Sequence, residues 1–424
     1  MKTLKVFFVI LFWAPFSQAI DADFFGYLRG GTGLNLQGGQ QECFFNSGIP
    51  GNFLRLGNEC GFYSEIGTVF HHKKADETDP VYFKTQVRIV YNSKGTRQWE
   101  AAADRDVSQV EAFVTAGGFL GVNSEIWAGK RFYRDVDLYI FDWYYFAEMS
   151  GVGAGLENVR LGQGLFSIAH LIQANEDLST TDVGRPVLQA VDLRWKLIPI
   201  FAKQNINLWG VFAWAPKSSD GTDQYQATHG YSLAARLQGP LGTGSNNFSL
   251  MYGRGAMKDF NLYANSALPV TDDSQNRAWN IRMVEDWHHE VTDRWAILLG
   301  AAAEYGNNGV PEDYNHYWYE VGARPIYFVT DRFQWVFELG YSLINNEAER
   351  DGNGDALGGR HLYRVTVAPQ LSLGKSIWGR PVLRMFLSYS SWNDENKTFI
   401  ANTAPTFKDK NSGATFGYQF EAWF

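Results

Sequence analysis

Apolar and polar residues alternate in many short stretches of this chain, most clearly in the last ten residues, TFGYQFEAWF. One parity there carries four aromatic residues and an alanine, and the other carries Gly417, Gln419, Glu421 and Trp423. Because successive side chains of a strand point to opposite faces, the segment predicts a strand with one apolar and one largely polar face. An apolar face that stays aromatic up to the final residue favours a membrane-facing barrel strand over the edge of a soluble sheet.

Trp423 is a large ring on the face that should line the interior of such a barrel. Two interpretations are open from the pattern: the ring fills a narrow interior, or something flat slides along it. The first strand candidate, residues 24–34, repeats the combination, because Tyr27 shares its parity with Arg29. Arg29 must face water, since an arginine on the lipid side at the bilayer midplane costs roughly 2–4 kcal/mol. Tyr27 is therefore expected in the lumen.

The second strand candidate spans residues 60–70, where Tyr63 and Glu65 share a parity with Arg55. Further alternating segments lie at 81–91, 191–197, 333–343, 363–373 and 383–389. Short strands and polar turns along the whole length predict one large all-β barrel without a domain boundary, wide enough for an aqueous channel. A soluble array of β-sandwiches is the competing fold, but it would not favour Tyr, Trp and Phe so heavily at strand ends.

The composition narrows the class of protein. The chain has 43 Gly and 16% aromatic residues, both high for a soluble domain, and its formal net charge of -8 argues against nucleic acid as a partner. After residue 20 no apolar run is long enough for a spanning helix. A membrane protein of this kind must be a closed barrel, because lipid offers no partner for open backbone groups.

The N-terminus has the pattern of an export signal: two lysines, a short apolar run and the small-residue site Ser17-Gln18-Ala19. We predict a signal peptide at residues 1–19, with cleavage after Ala22 as the alternative, and a single barrel domain at 20–424. A membrane anchor is the competing interpretation, but the apolar run is short for one.

The chain has two cysteines, Cys43 and Cys60. In an exported chain an even count predicts a disulfide, which would stabilise the fold by roughly 3 kcal/mol in the chain-entropy model. A metal pair is disfavoured, because no histidine or further cysteine joins them at ligand spacing.

The stretch 127–158 is partly too charged and irregular for a lipid-facing strand. It carries Arg134, Asp135, Asp137 and Asp142 within a dense aromatic run. A long loop folded into the lumen would place these charges at a constriction, where charge and pore width set selectivity. An ordinary exposed loop is the alternative, which the aromatic content disfavours.

This stretch resembles the maltoporin family of trimeric sugar porins in the sequences IWAGKRFY and SGVGAGLEN. The segments DFFGYLRGG, RLGNEC, QWEA and SIWGRP and the C-terminal aromatic pair resemble the family in the same order. The motifs reach from residue 23 to residue 424, with a weaker match over 160–320. The resemblance implies an outer-membrane barrel of eighteen antiparallel strands in a Gram-negative bacterium, with a long loop folded into the lumen, assembled as a homotrimer.

The resemblance also implies a line of aromatic residues on which sugars glide, flanked by polar groups. The implied aromatic residues are Tyr27, Tyr63, Trp99, Tyr144, Phe248, Trp378 and Trp423. The implied polar residues are Arg29, Arg55, Glu65, Asp137 and Asp142. Trp99 would reach in from a neighbouring subunit, and Tyr144 would stand at the constriction. For Tyr27, Tyr63 and Trp423 the parity of the strands independently predicts the same inward orientation.

Two positions depart from the family pattern. The family has an arginine two residues before the aspartate matched to Asp137, where this chain has Asp135, with Arg134 one residue earlier. For another channel arginine of the family, after QWEA, the nearby candidate is Arg105. These differences predict a constriction more acidic than the family pattern.

We therefore expect a sugar-selective porin that gives maltose and maltodextrins facilitated diffusion, without cofactor, metal or covalent chemistry. Its partners would be the oligosaccharide, outer-membrane lipid and further copies of the chain. A porin for another oligosaccharide, such as sucrose or β-glucosides, and a general diffusion porin are the alternatives within this fold. An outer-membrane enzyme is the remaining one, in which Glu65, Asp137 and Asp142 would pair for glycoside hydrolysis.

Overall fold

The computed structural model describes residues 21–76, 78–93, 105–173, 187–201, 203–219, 224–262, 274–309, 314–351 and 354–424. The expected signal peptide, residues 1–19, and Trp99 lie outside these ranges. Within them, no helix has the length and apolar character needed to cross a membrane.

The described residues form twenty-two strands, most of them 10 to 15 residues long. Their bounds are β1 Asp21–Asn35, β2 Phe62–Lys73, β3 Tyr82–Ser93, β4 Arg105–Gly117, β5 Glu125–Arg131, β6 Asp137–Leu138, β7 Trp143–Tyr144, β8 Gly151–Leu161, β9 Gly164–Gln173, β10 Leu188–Pro199, β11 Asn205–Ala215, β12 Ser218–Ser219, β13 Gln224–Tyr225, β14 Thr228–Leu241, β15 Gly244–Gly255, β16 Trp279–Thr292, β17 Trp295–Asn307, β18 Asn315–Phe328, β19 Phe333–Asn346, β20 Arg360–Ser372, β21 Val382–Trp392 and β22 Ser412–Trp423. The helices are α1 Ser274–Arg277 and α2 Lys397–Thr403, with short 3-10 turns at Tyr139–Phe141, Asp394–Asn396 and Pro405–Phe407.

Eighteen of these strands form one closed antiparallel sheet, and β6–β7 and β12–β13 are two small hairpins apart from it. The sheet closes because β1 pairs with β2 on one side and with β22 on the other. The predicted barrel of eighteen antiparallel strands is confirmed. The predicted segments 60–70 and 191–197 become Phe62–Lys73 and Leu188–Pro199, because backbone pairing continues past the alternating pattern.

The barrel wall is apolar outside and polar inside. Phe24, Ile66 and Tyr418 point outward and are 69%, 56% and 55% exposed, whereas the inward-facing Glu338 and Arg364 are buried. An apolar outer band around a polar interior is the arrangement of a barrel surrounded by lipid.

Two connecting segments, residues 36–61 and 132–150, pack against the inner side of the wall. Arg194, which faces inward on β10, donates hydrogen bonds to the carbonyl oxygens of Tyr133 at 3.0 Å and Ala147 at 3.1 Å. These bonds place the segment 132–150 within the barrel. Arg55, which precedes β2, lies on the segment 36–61.

Three glycines in register on neighbouring strands make room for both segments. Gly322 on β18 lies opposite Gly300 on β17 and Gly340 on β19. A Cβ atom at Gly322 would lie 2.5 Å from Leu54 and 3.2 Å from Ile140. Only a bare backbone leaves space for these two side chains, one from each segment.

Cys43 and Cys60 form the predicted disulfide, which closes part of the segment 36–61. Beside it, the ring of Phe44 stacks on Trp392 with a centroid distance of 5.3 Å and meets Phe407 edge-on at 5.2 Å. The disulfide closes the segment on itself, and the aromatic contacts attach it to the end of β21 and to the connection between β21 and β22.

Candidate functional site

The pairing of β22, β1 and β2 brings three predicted rings onto one inward face. Tyr27 lies opposite Trp423 in one ladder, and Arg29 lies opposite Tyr63 in the other. Residues directly opposite in an antiparallel ladder point to the same face of the sheet. The ring centroids of Tyr27 and Tyr63 are 6.1 Å apart, so the two rings follow one another along the wall.

Two tryptophans continue this side of the interior towards the barrel end that carries the short turns. Trp423 is 37% exposed, and the guanidinium carbon of Arg380 lies 4.3 Å from its ring centre. Trp378, in the turn after β20, is 41% exposed and meets Tyr139 edge-on at 5.2 Å and His288 at 4.9 Å. Arg380 also donates a hydrogen bond to the phenol of Tyr139. Both tryptophans therefore lie beside one arginine–tyrosine pair.

A cluster of five charged side chains lies beside these rings. Arg29 contacts Glu59 at 3.0 Å and Asp142 at 3.2 Å. Arg55 contacts Glu59 at 2.7 Å and Glu421 at 3.3 Å. A further nitrogen of Arg55 lies 3.8 Å from Asp142. The three carboxylates thus hold two arginines side by side at the channel.

Glu421 joins the charged cluster to the rings. The Tyr27 hydroxyl donates to one oxygen of Glu421 at 3.0 Å and accepts a hydrogen bond from Arg55. The Tyr139 hydroxyl donates to the other oxygen at 2.8 Å, and Arg384 contacts the same oxygen at 2.8 Å. Charge-assisted bonds of this kind are short and strong, so they fix the orientation of the Tyr27 ring.

The position of Asp142 follows from its local backbone. It ends the 3-10 turn Tyr139–Phe141 in a left-handed conformation with φ of 50°, which aspartate tolerates better than most residues. Asn52 donates from its side chain to Asp142 at 3.2 Å and from its backbone to the Phe141 carbonyl at 2.6 Å. A Cβ at Gly51 would lie 2.6 Å from that same carbonyl, so glycine permits this close approach. The segment 36–61 therefore holds the carboxylate towards the arginines.

A second polar group lies around Tyr63. Its hydroxyl donates to Glu65 at 2.6 Å, and Arg88 contacts the other oxygen of Glu65 at 2.6 Å. Arg134 lies 3.9 Å from Glu65, with its guanidinium carbon 3.6 Å from the centre of the Tyr144 ring. Tyr144 is thereby connected to the wall strand that carries Tyr63.

The two departures from the family pattern have different surroundings. Asp135 does not stand free, because it lies 3.3 Å from Arg236, a buried arginine of β14. The cation beside Tyr144 is Arg134, and Arg105 is an exposed residue at the start of β4. Asp135 is therefore ion-paired with the wall, and a constriction more acidic than the family pattern stays a prediction.

The remaining aspartates of the segment 132–150 differ in their electrostatics. Burial raises the pKa of Asp137 above its ordinary value. Burial acts in the same direction on Asp142, but the guanidiniums of Arg55 and Arg29 outweigh it and hold the pKa of Asp142 below its ordinary value. Asp142 is therefore a fixed negative charge, and Asp137 is the easier of the two to protonate.

Phe248 does not join the other rings. On the same strand the inward-facing residues are Ser249, which donates to the Tyr145 hydroxyl at 3.4 Å, and the buried Met251. Phe248 has the opposite parity, which it shares with Leu250, and the two are 38% and 48% exposed. Phe248 therefore lies on the outer face of the barrel, and its predicted place in the aromatic line is corrected. The local similarity to the family is weak at this strand.

Several side chains of the site were not singled out from the sequence. These are Glu59, Tyr139, Arg380 and Glu421. Parity placed Glu421 in the interior but assigned it no role, and Glu59 could have been noticed because it directly precedes Cys60. Tyr139 and Arg380 lie in connections without alternation, where no periodic signal exists.

The arrangement offers flat rings beside fixed donors and acceptors. Rings suit the apolar C–H face of a sugar, and arginines and carboxylates suit its rim of hydroxyls. Hydrolysis would need a carboxyl with a raised pKa beside a second reactive carboxylate. Asp137 has a raised pKa, but neither of the other two candidate carboxylates is free to act beside it: Asp142 is held between arginines, and Glu65 is already bound by Tyr63 and Arg88. The site therefore favours binding over catalysis.

Comparisons with known proteins give the family and the fold of the chain. A family model described as LamB porin matches residues 22–424. The crystal structure of OccAB1 from Acinetobacter baumannii is similar with a TM-score of 0.50 at 10% identity, covering 95% of this chain and 96% of that chain. OccAB4 from the same organism gives a TM-score of 0.47 at 12% identity, covering 96% of this chain and 99% of that chain. The likeness to OccAB1 supports the barrel fold alone.

Proposed function

This chain belongs to the LamB porin family and is a multi-pass β-barrel of the Gram-negative outer membrane, and we propose that it gives maltose and maltodextrins facilitated diffusion through its lumen. The proposal rests mainly on the series of aromatic rings on one side of the interior, with ion pairs beside them: Tyr63, Tyr27, Trp423 and Trp378. A pore that sieves by size alone has no need of such a series.

The rings would act as a path of similar, weak contacts. A glucose unit stacked on one ring exchanges it for the next, since Tyr63 and Tyr27 are 6.1 Å apart. No single contact holds the sugar strongly, which a conducting pore requires. Net movement then follows the concentration difference without energy input.

The charged groups would bind the hydroxyl rim of the same sugar. Arg29, Arg55 and Asp142 lie beside the rings as one ion-paired cluster. Glu65 and Asp137 would add acceptors near Tyr144, which pairs with Asp137 in the β6–β7 hairpin and would stand at the constriction. When the sugar leaves bulk water it loses hydrogen bonds with water molecules. Charge-assisted hydrogen bonds to these groups would replace them, so the free-energy barrier to entry stays low.

We assign the assembly as a homotrimer, in which a neighbouring subunit would contribute Trp99 to the aromatic line. Family membership supports this assignment. Chemical cross-linking, or the size of the unheated protein in detergent, would test it, and a monomer would contradict it.

The test of transport is a conductance titration in planar bilayers. Maltodextrins of increasing length should block the ion current saturably, with tighter block for longer chains until the series of rings is filled. Sucrose and a β-glucoside oligosaccharide serve as comparators, since tighter block by either would reassign the substrate. Uptake that scales only with solute size would indicate a general diffusion porin, and release of glucose from maltodextrin would indicate an enzyme.

A further inference from the structure

Glu59 is a buried carboxylate that contacts both arginines of the charged cluster. One of its oxygens lies 3.0 Å from Arg29 and 2.7 Å from Arg55, and the other accepts a hydrogen bond from Gln419 at 2.5 Å. The Glu59 side chain is 3% exposed, against 16% for Arg29 and 5% for Arg55. The carboxylate is thus more deeply buried than the Arg29 side chain, and Arg55 is nearly as buried as the carboxylate.

We propose that Glu59 is a positioning residue for the sugar path: it fixes the direction in which Arg29 presents its guanidinium to the solute and holds the buried Arg55 beside it. The inference rests on the proposed function. It assigns no contact between Glu59 and sugar, because the carboxylate is buried.

The need for such a residue follows from the flexibility of arginine. The side chain samples many rotamers in water, and a sugar that binds a mobile guanidinium must order it at a cost in affinity. A buried carboxylate that is ion-paired with the guanidinium restricts the arginine to few rotamers before the sugar binds. Because one oxygen of Glu59 is shared by Arg29 and Arg55, it also sets the spacing between them.

Glu59 can do this because its own backbone is fixed. It directly precedes Cys60, whose disulfide to Cys43 closes the segment that carries it. Within that segment the backbone N–H of Leu56 donates to Glu338 of the wall at 2.8 Å. The N–H of Arg55 donates to the carbonyl of Ile140 at 3.1 Å. The disulfide-closed segment is therefore part of the channel wall as well as a stabilising link.

The arginines would keep other partners without Glu59. Arg29 retains Asp142 at 3.2 Å, and Arg55 retains Glu421 at 3.3 Å. The barrel should therefore still assemble in the isosteric variant Glu59→Gln, and the change should concern the orientation and net charge of the cluster.

The experiment compares single channels of the full-length protein, so that every recording comes from a folded pore. In Glu59→Gln we expect maltohexaose block to weaken roughly tenfold, mainly through faster release, and the reversal potential in a salt gradient to shift towards anions. Glu59→Asp keeps the charge and should restore the ion selectivity. The matched control is Glu304→Gln, which removes a buried carboxylate 2.6 Å from Arg282, on strands β16 and β17, which carry none of the rings Tyr63, Tyr27, Trp423 and Trp378. It should lower heat stability and leave block and selectivity unchanged.

Unchanged block and selectivity in Glu59→Gln would overturn the inference, as would equal effects of Glu59→Gln and Glu304→Gln. If the wild-type channel itself shows no saturable block, the proposed function fails. The reversal potential of Glu59→Gln would then still report whether Glu59 governs the charge of the cluster.

Discussion

The guanidinium of Arg134 lies between two rings of the segment 132–150, with its central carbon 3.6 Å from the centre of Tyr144 and 4.1 Å from that of Phe132. A stacked guanidinium keeps its edge free for hydrogen bonds in the plane of the group. Glu65 of the wall lies 3.9 Å away and balances the charge. Arg134 therefore supplies the cation beside Tyr144, although the residue next to it departs from the family pattern.

Replacing Arg134 by alanine should widen the constriction and weaken sugar binding. A cation–π contact of this kind contributes about 0.5–2 kcal/mol, so maltohexaose block should weaken roughly twofold to thirtyfold while the unitary conductance rises. Single-channel recording measures both. The matched control is Arg131→Ala, since Arg131 also lies over a ring, Trp127, at 5.1 Å but pairs with Glu157 of the wall. Wild-type block in Arg134→Ala would contradict the assignment.

Trp423→Ala and Phe248→Ala should have opposite outcomes, although both remove an aromatic ring that the family resemblance assigns to the same line. Trp423 shares the inward face of Tyr27, so its loss should weaken sugar block roughly threefold to tenfold. Phe248 lies on the outer face, so its loss should leave block unchanged. Current fluctuation analysis with maltotriose and maltohexaose would give the sugar-binding constant of each variant. Equal weakening in the two variants would place Phe248 in the lumen.

The barrel was predictable because its signal is local. Alternation in the last strand assigned Trp423 to the interior, and its pairing with Tyr27 and its contact with Arg380 agree, because a period of two follows from the backbone geometry of a regular strand. The same reasoning oriented Tyr27 and Tyr63. Phe248 was misassigned because its role came from a weak family match. The local alternation already places it on the apolar face with Leu250, opposite to Ser249.

The interior network was not predictable, because its contacts join residues far apart in sequence. Glu421 meets Tyr139 at a separation of 282 residues, and the backbone N–H of Leu56 on the segment 36–61 meets Glu338 of the wall at the same separation. Gly322 carries no polarity, so no pattern marks it as the place where Leu54 and Ile140 pack. Such features depend on which side chains meet across the lumen, and the alternation of apolar and polar residues along the chain gives no information about these contacts.

Asp135→Asn should lower the stability of the barrel without changing sugar block. Its partner Arg236 is buried at 3.3 Å and would be left as an uncompensated charge. Removing one partner of a fully buried pair costs about 3–5 kcal/mol, and because Asp135 is partly exposed we expect about 1–3 kcal/mol here. Urea unfolding in lipid vesicles measures the free energy of unfolding. The double change Asp135→Leu with Arg236→Met should recover most of the loss, and weakened block in Asp135→Asn would instead make this aspartate part of the sugar path.

Ion selectivity should change with pH through Asp137. Burial disfavours the charged form, so the pKa of Asp137 is raised and the carboxyl takes up a proton above the value of about 3.9 of an exposed aspartate. As the pH falls through this raised pKa the lumen loses one negative charge, and the preference for cations should decline. Asp142 stays ionised over the same range, because Arg55 and Arg29 hold its pKa down against the effect of burial. Reversal potentials in a potassium chloride gradient between about pH 7 and pH 4 would measure this decline in cation preference. The decline should be absent in Asp137→Asn and present in Asp142→Asn. A decline that persists in Asp137→Asn would assign the titration to another group.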